Sequence, residues 1–218
     1  MSDVLKDLET YANQLVDTGL VVGAGGNLSM RDGDYMYISP SGYDLKETKE
    51  KDWVKVNIQT GEILSELKPS SEILMHLECF RRNENIQAVL HAHPTYSIAV
   101  SSTGKDIPAM FPDFPAMVQR ISYIDYVIPT TNLLADAISD HVLESQAIVM
   151  RNHGVLTLGS TMKEAFFYMQ IIEEAAKVFA ISSMIGEPRI LTEQECDDLK
   201  NLSSETYRSE LLKKGDSS

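Results

Sequence analysis

The chain has 218 residues and a mass of 24.3 kDa, a length that fits one domain or at most two. It carries 19 Lys and Arg against 32 Asp and Glu, a formal net charge of −13. Such an acidic chain argues against a nucleic-acid binder or a polybasic membrane-surface protein, because both must offer positive charge to phosphate.

The first part of the sequence predicts one helix followed by strands in hairpins. Apolar residues recur at helical spacing over 3–18, and Gly19 follows as a stop. A glycine-rich turn at 23–27 comes next, and Asp32-Gly33-Asp34 favours a hairpin because Asp and Gly accept positive φ at little cost. Two hairpins are predicted, with strands at 28–31 and 35–39 and at 53–58 and 62–65.

The rest of the chain alternates helical and strand patterns. A helix is predicted from Ser71 to about Arg82, and Thr161 with Glu164 forms a capping box for a long helix to about Ser183. The other predicted elements are strands at 88–93, 123–128, 147–150 and 155–158, a short helix or turn at 96–102 and a helix at 133–141. Helices around a hairpin-rich sheet indicate an α/β fold, a single three-layer domain whose central, largely antiparallel sheet is flanked by helices.

Three of the five histidines stand where they could hold a metal ion. His91 and His93 are two residues apart on a predicted strand, so both imidazoles project from the same face. His153 lies in the polar turn 151–154 between two apolar strand segments, which carries it to an end of the sheet. Three neutral imidazoles leave a metal ion its full charge and an open position for substrate. The alternative is a set of ordinary strand and turn histidines.

A second pattern favours the binding of an anion. Lys68-Pro69-Ser70-Ser71-Glu72 has the composition of a helix N-terminus, whose free N–H groups and partial positive charge attract anions. Gly26-Asn27 and Ser41-Gly42 offer similar donors from tight turns. Each of these segments alone is also typical of an ordinary cap or turn. Glu72, in the first turn of the predicted helix, is either a general base near the metal or a partner of the helix dipole.

Taken in order, these segments resemble the class II sugar-phosphate aldolase and adducin family. The resemblance extends from the first helix to about Ala180. Its motifs are Gly25-Gly26-Asn27-Leu28-Ser29, Ile38-Ser39-Pro40-Ser41-Gly42, Lys68-Pro69-Ser70-Ser71-Glu72, His91-Ala92-His93 and Asn152-His153-Gly154. It implies a class II aldolase-like catalytic domain over residues 1–185. From Gly186 onward the chain is charged and sparse in large apolar residues, so we expect 186–218 to be a polar C-terminal tail that is partly mobile.

The resemblance also implies a role for individual residues. His91, His93 and His153 match the family's ligands for Zn²⁺ or another divalent metal. Glu72 matches the acid/base carboxylate, which also touches the metal when substrate is absent. Tyr207 is a loose match for the family's C-terminal tyrosine. The residues that match the phosphate-binding positions are Gly26, Asn27, Ser41, Gly42, Ser70 and Ser71.

One residue of the family pattern has no counterpart. In the fuculose-phosphate aldolases a tyrosine shortly after Ile-Pro-Ala helps to protonate the aldehyde oxygen. Here Ile107-Pro108-Ala109 is followed by Met110-Phe111-Pro112-Asp113-Phe114. Tyr123 and Tyr126 are the possible substitutes, although strand or core packing is the usual role of such residues. The resemblance therefore leaves the aldehyde-side proton donor unidentified.

The activity that the resemblance implies is reversible cleavage of a ketose 1-phosphate, of the L-fuculose 1-phosphate type, to dihydroxyacetone phosphate and a short aldehyde. The family's architecture implies a homotetramer with active sites at subunit interfaces. Alternatives are a pentulose-phosphate 4-epimerase, which carries Asp where this chain has Glu72, and a metal-dependent dehydratase or decarboxylase. Two others are a non-catalytic, adducin-like interaction module and a Schiff-base aldolase that uses Lys68.

The sequence also predicts where the protein works. No segment approaches the roughly 20 apolar residues of a membrane-spanning helix, and the first ten residues are too acidic and polar for a signal peptide. Cys79 and Cys196 are too few and too far apart for a disulfide scaffold or a cysteine-based zinc site. We therefore expect a cytoplasmic enzyme whose partner is a small phosphorylated sugar, with no nucleic acid or membrane bound.

Overall fold

A mixed sheet of seven strands forms the middle layer of the computed structural model, which describes residues 3–213. The strands are β1 (Asn27–Asp32), β2 (Tyr35–Ile38), β3 (Val54–Asn57), β4 (Ala88–Ala92), β5 (Ile121–Ile124), β6 (Ala147–Met150) and β7 (Gly154–Gly159). Their order across the sheet is β3-β2-β1-β4-β7-β6-β5, and all neighbours are antiparallel except β5 and β6. The predicted α/β class with a largely antiparallel sheet is confirmed.

Helices cover both faces of this sheet. They are α1 (Asp3–Asp17), α2 (Ile73–Arg82), α3 (Thr95–Ser101), α4 (Asp113–Met117), α5 (Asn132–Ser139), α6 (Met162–Ile185), α7 (Glu193–Lys200) and α8 (Ser203–Lys213), with a short 3₁₀ turn at Glu50–Asp52. One apolar core lies between the sheet and α1, α3, α4 and α6, and a second lies between the sheet and α2 and α5. Two cores on opposite faces of one sheet give three layers.

Two predicted strands differ from the structure. Strand β5 covers Ile121–Ile124 rather than 123–128, because its partner β6 ends at Met150 and leaves the following residues without a strand to pair with. The predicted strand 62–65 is reduced to an isolated bridge between Val56 and Ile63. Ile63 is 47% exposed and lies at the outer edge beside β3, where a strand gains little burial.

The C-terminal segment contains two helices that the sequence patterns did not predict. Helix α7 begins with a capping box in which Thr192 and Glu195 bond reciprocally. Helix α8 packs back on the domain: Leu212 is buried, and its carbonyl accepts a hydrogen bond from the Thr161 hydroxyl at 2.9 Å. The division into a domain over 1–185 and a tail over 186–218 stays a prediction, and residues 214–218 lie outside the described part of the chain.

Two observations bear on location. Within residues 3–213, none of the helices has the length and apolar character needed to span a membrane. Cys79 and Cys196 are both free thiols, and Cys79 is buried in the core beneath α2. The cytoplasmic location stays a prediction.

Candidate metal centre

The three histidines meet where β4 ends beside the turn between β6 and β7. His91 belongs to β4, His93 follows the last residue of that strand, and His153 lies in the turn. Strands β4 and β7 are neighbours, with Ala92 paired to Val155, so the end of one strand lies against the start of the other. The ring centroid of His91 is 4.8 Å from that of His93 and 4.9 Å from that of His153. The sheet therefore joins ligands from two distant segments.

A glycine allows this close approach. A Cβ added to Gly154 would lie 2.4 Å from the carbonyl oxygen of Ala92, 2.9 Å from His93 Cδ2 and 3.0 Å from His91 Cε1. The preceding turn passes through Asn152, which adopts a positive φ of 60°, a conformation that asparagine tolerates better than most residues. The space beside the two imidazoles exists only because position 154 has no side chain.

Glu72 completes the group from the opposite side. The ligand atoms of Glu72, His91, His93 and His153 all lie within 4.8 Å of one another. Oε2 of Glu72 is 3.2 Å from Nε2 of His91, and Oε1 is 3.2 Å from Nε2 of His153. Only 8% of Glu72 is exposed. The carboxylate therefore faces the imidazoles from within the protein.

The sequence pattern had predicted Glu72 in the first turn of helix α2, and this is wrong: Glu72 precedes the helix. The backbone N–H of Ser41 donates to Lys68 O at 2.9 Å, and the N–H of Ser70 donates to Ser39 O at 2.9 Å. These bonds hold residues 68–70 extended against 39–41, so α2 starts only at Ile73 and Glu72 is its N-cap. The same pairing brings the Ser41-Gly42 turn beside Ser70 and Ser71.

The donor set fits a divalent cation such as Zn²⁺. Nδ1 of His91 lies 3.0 Å from the carbonyl oxygen of Val155, so that nitrogen carries the proton and Nε2 presents a lone pair. This Nε2 is 3.0 Å from Nε2 of His93. Oε1 of Glu72 is buried with no hydrogen-bond partner among the described residues. Lone pairs that converge without protons between them are the arrangement that a cation satisfies.

Burial sets the charges of these groups. It lowers the pKa of His91 to about 3 against the opposing charge of Glu72, and it also lowers the pKa of His93. For Glu72, burial alone would raise the pKa, but the neighbouring imidazoles of His153 and His91 and the hydrogen bond from Asn27 outweigh it, so the pKa lies below its usual range. At neutral pH the site therefore combines the neutral imidazoles of His91 and His93 with an anionic carboxylate, the protonation states that metal ligands require.

The metal candidates open onto a cleft of about 350 Å³. All six predicted phosphate-binding residues line it, together with Glu72, His93 and His153: Gly26, Asn27, Ser41, Gly42, Ser70 and Ser71. The lining residues include no lysine or arginine. An anion would therefore be held by hydroxyl and N–H donors at the rim.

Several lining residues were not among the sequence predictions. Tyr43, Pro129 and Thr130 also line the cleft. Thr130 has a φ of 66°, which is strained for a β-branched residue. No pattern in the sequence signals such a conformation. Pro129 and Thr130 belong to the loop between β5 and α5, and Tyr43 belongs to the loop after β2.

Other residues considered from the sequence lie elsewhere. Tyr207 is 63% exposed on α8 and does not line the cleft. Tyr123 bonds to the loop that precedes α4: its hydroxyl accepts a hydrogen bond from Ile107 N at 2.9 Å. Burial raises the pKa of Tyr123 to about 12. Tyr126 is 58% exposed outside the cleft. Lys68 is exposed and its side chain does not line the cleft.

One buried histidine that the motifs did not single out lies directly behind Glu72. His76 has no exposed surface, and its Nε2 is 2.5 Å from Oδ1 of Asn27 while its Nδ1 is 2.6 Å from the hydroxyl of Ser29. Nδ2 of Asn27 in turn donates to Oε2 of Glu72 at 2.9 Å. The sequence offered one signal for His76: it follows Glu72 by four residues, a spacing that puts two residues on the same face of the predicted helix. Burial lowers the pKa of His76 to about 4.

The buried histidines predict a loss of stability in mild acid. His76 and His91 stay neutral in the folded protein down to about pH 4 and 3, whereas in the unfolded chain they gain a proton near the ordinary pKa of 6.5. Below pH 6.5 the unfolded chain therefore binds more protons, and stability falls by up to about 1.4 kcal/mol per pH unit for each histidine. Urea unfolding of metal-free protein between pH 7 and 5 measures this slope. The variant His76→Gln should reduce the dependence of stability on pH, because only His91 then contributes. An unchanged dependence would contradict the prediction.

Comparisons with known proteins identify relatives of this chain. The sequence model described as class II aldolase and adducin N-terminal domain matches residues 6–180. A 5-deoxy-D-ribulose 1-phosphate aldolase of Bacillus thuringiensis is 33% identical, covering 89% of this chain and 92% of the relative. An L-fuculose phosphate aldolase of Methanococcus maripaludis is 35% identical over 75% of this chain and 89% of its own. A 3-oxo-tetronate 4-phosphate decarboxylase of Haemophilus influenzae is 32% identical, and the match covers 85% of this chain and 90% of the relative.

The fold agrees with a solved structure as well. The structure of an L-fuculose 1-phosphate aldolase superposes with a TM-score of 0.85 and 31% sequence identity. The match covers 95% of this chain and 97% of the other. An aldolase of known structure thus shares the length and the fold of this chain, and further aldolases and a decarboxylase match its sequence over most of their length.

Proposed function

Because the chain belongs to the class II aldolase and adducin family, we propose that it is a metal-dependent aldolase that acts on a ketose 1-phosphate of the L-fuculose 1-phosphate type. The products would be dihydroxyacetone phosphate and a short aldehyde. The observation that carries the proposal is the convergence of three imidazoles and Glu72 at the base of a cleft with uncharged anion donors on its rim. Relatives named for the cleavage of two different sugar phosphates support the same reaction class.

His91, His93 and His153 would hold the metal, and Glu72 would approach it when the cleft is empty of substrate. When bound there, Zn²⁺ or another divalent cation supplies a Lewis acid that stabilises the negative charge developing on substrate oxygens. The chain prepares this by keeping His91 neutral: the Val155 carbonyl fixes the tautomer of this ring, and burial disfavours its protonation.

Glu72 would move the proton of the reaction. As an ionised carboxylate it takes a proton from the carbon that becomes the nucleophile in the condensation direction, and it returns that proton during cleavage. Oε2 is already bonded to Asn27, whereas Oε1 is buried without a hydrogen-bond partner in the described chain. Oε1 is therefore the oxygen available for proton transfer.

The rim of the cleft would anchor the phosphate. Ser41, Gly42, Ser70 and Ser71 lie side by side because residues 39–41 and 68–70 pair. One N–H of the Asn27 amide donates to Glu72, which leaves the other for the cleft. Neutral donors suit a chain of net charge −13, whose overall field repels anions. Anchoring the phosphate reduces the entropic cost of orienting the carbon to be deprotonated.

Decarboxylation is the second candidate, since a relative with that name is 32% identical over 85% of this chain. Both reactions break a carbon–carbon bond and develop negative charge next to a carbonyl, so one site can serve either. The geometry of the metal ligands disfavours the adducin-like alternative, because a binding module has no need of converging lone pairs. The absence of lysine from the cleft lining disfavours the Schiff-base alternative. The only observation against the 4-epimerase alternative is that this chain has Glu72 at the position where the epimerases carry Asp.

A homotetramer is part of the proposal. Large apolar side chains are exposed on the single chain, with Met184 at 87%, Ile185 at 83% and Val22 at 82%. Apolar surface of this kind is buried when copies of a chain associate. Tyr207 would then be a candidate to reach a neighbouring subunit's cleft, as the family resemblance implies.

The proposed reaction predicts complete dependence on a divalent metal. Chelation with EDTA should abolish the release of dihydroxyacetone phosphate from a panel of ketose 1-phosphates, and Zn²⁺ or another divalent ion should restore it. A coupled dehydrogenase assay measures the product, and carbon dioxide release from 3-oxo acid phosphates tests the decarboxylase alternative in the same preparation. Activity that survives EDTA but is trapped by borohydride would contradict the metal mechanism and favour Lys68. A metal-replete protein that binds no metal would favour the interaction module.

A further inference from the structure

A line of buried hydrogen bonds leads from Glu72 into the protein. Asn27 and Ser29 lie two residues apart on β1, so both side chains leave the same face of the strand. His76 on α2 contacts both of them, with its Nε2 2.5 Å from Oδ1 of Asn27 and its Nδ1 2.6 Å from the hydroxyl of Ser29. Asn27 then bonds to Glu72 at 2.9 Å. Ser29 and His76 have no exposed surface, and Asn27 is 4% exposed.

The chemistry of the groups gives this line one direction. An amide oxygen can only accept, so Nε2 of His76 must carry the hydrogen that it shares with Asn27. A neutral imidazole has a single N–H, so Nδ1 accepts the hydrogen of the Ser29 hydroxyl. The amide nitrogen of Asn27 is then directed at Glu72, to which it donates. Each donor from Ser29 to Asn27 therefore points towards the carboxylate.

We propose that His76 is a positioning residue: through Asn27 it fixes Oε2 of Glu72 beside His91 and leaves Oε1 facing His153. The alternative for a buried histidine is a purely structural hydrogen bond between α2 and β1. That alternative requires only that His76 bond to something, whereas the positioning role requires the donor at Nε2. The catalytic consequence rests on the proposed aldolase function. The consequence for metal binding does not.

Two variants of His76 distinguish the role of Nε2, which bonds to Asn27, from the role of Nδ1, which bonds to Ser29. His76→Gln can place an amide nitrogen near the position of Nε2 and so keeps the donor to Asn27. His76→Asn is shorter, so its oxygen takes the position of Nδ1; it keeps the acceptor for Ser29 and loses the donor to Asn27. We expect His76→Asn to weaken Zn²⁺ affinity by about 10- to 100-fold relative to His76→Gln, a usual effect of residues behind metal ligands. Competition with a chromophoric chelator measures this affinity without any substrate.

Kinetics supply a second readout. With a substrate from the ketose phosphate panel, His76→Asn should lower kcat by about tenfold or more. The effect on KM should be smaller, because the phosphate donors at Ser41, Gly42, Ser70 and Ser71 are intact. His76→Gln should stay within about threefold of the parent protein in both constants. Equal metal affinity and equal kcat in the two variants would overturn the positioning role.

The parent protein itself provides a test that requires no variant to fold. Long-range ¹H–¹⁵N correlation spectra report which ring nitrogen of a neutral histidine carries the proton. We expect His76 in the Nε2–H tautomer at pH 7, in metal-free and zinc-loaded protein alike. The Nδ1–H tautomer would overturn the proposal, since Asn27 would then have to direct its oxygen at Glu72. Ser29→Ala, a smaller change at the far end of the line, should weaken Zn²⁺ affinity less than His76→Asn.

These measurements separate the two proposals. If no ketose phosphate is cleaved by the parent protein, the proposed function fails, while the Zn²⁺ affinities and the tautomer still decide the role of His76. If the parent protein is an active aldolase and the two His76 variants are indistinguishable, the positioning role fails and the proposed function stands.

Discussion

Replacing Glu72 by Gln is expected to lower kcat by about 10³-fold and to leave the protein folded and able to bind metal. Loss of a general acid/base usually costs between about 10² and 10⁴ in rate. The glutamine side chain has the same shape, and its oxygen can still accept from Asn27, which now donates to Oε2 of Glu72 at 2.9 Å. Its amide nitrogen, however, would face Nε2 of His153 and cannot accept a proton from carbon.

The design of this experiment isolates the proton transfer. The three imidazoles remain in Glu72→Gln, so zinc content by atomic absorption should stay near one ion per chain. Glu66→Gln is a matched control, since Glu66 is exposed and lies outside the cleft; it should leave kcat and KM unchanged. Turnover by Glu72→Gln at the rate of this control would remove Glu72 as the base. A variant that loses its zinc as well would assign to Glu72 a ligand role that the histidines cannot replace.

The sequence predicted which side chains converge at the candidate metal centre better than it predicted the residues that support them. His91 and His93 could be paired because strand residues two apart share a face, and the motif around His153 was recognisable as part of a family pattern. Neither the hydrophobic periodicity nor the sequence motifs predict the contact between Asn27 and His76 that supports Glu72. The two residues are 49 positions apart in the sequence and meet only when α2 packs on β1. Side-chain hydrogen bonds of this kind depend on tertiary contacts that local patterns do not encode.

The limits of the predicted elements have the same origin. The core strands β4, β6 and β7 were found within one residue, because their apolar runs must be buried on both faces. Strand β5 was misplaced because its extent depends on where its parallel partner β6 ends, which is a property of the pair. The start of α2 was displaced for a similar reason: backbone bonds from residues 39 and 41 hold 68–70 extended, whatever their helix-capping composition.

The variant Gly154→Ala should abolish tight metal binding although position 154 carries no ligand. Its Cβ would meet the Ala92 carbonyl oxygen at 2.4 Å and the rings of His93 and His91 at 2.9 and 3.0 Å, distances too short for unshifted atoms. Because β4 and β7 are paired at Ala92, backbone movement there displaces both histidines together. We expect Zn²⁺ affinity to fall by about 100-fold and stability by about 1–3 kcal/mol.

The matched control for this variant is Gly186→Ala. Gly186 has an extended φ of −179° and nothing within 4 Å of an added Cβ, so the same change should leave metal affinity unaltered and stability equal or slightly higher. Chelator competition and urea unfolding of the two metal-free variants measure both quantities. Full zinc affinity in Gly154→Ala would mean that β4 and the β6–β7 turn can separate by the width of a methyl group without loss of the metal centre. The rigid convergence of His91, His93 and His153 would then no longer account for the affinity of the site for metal.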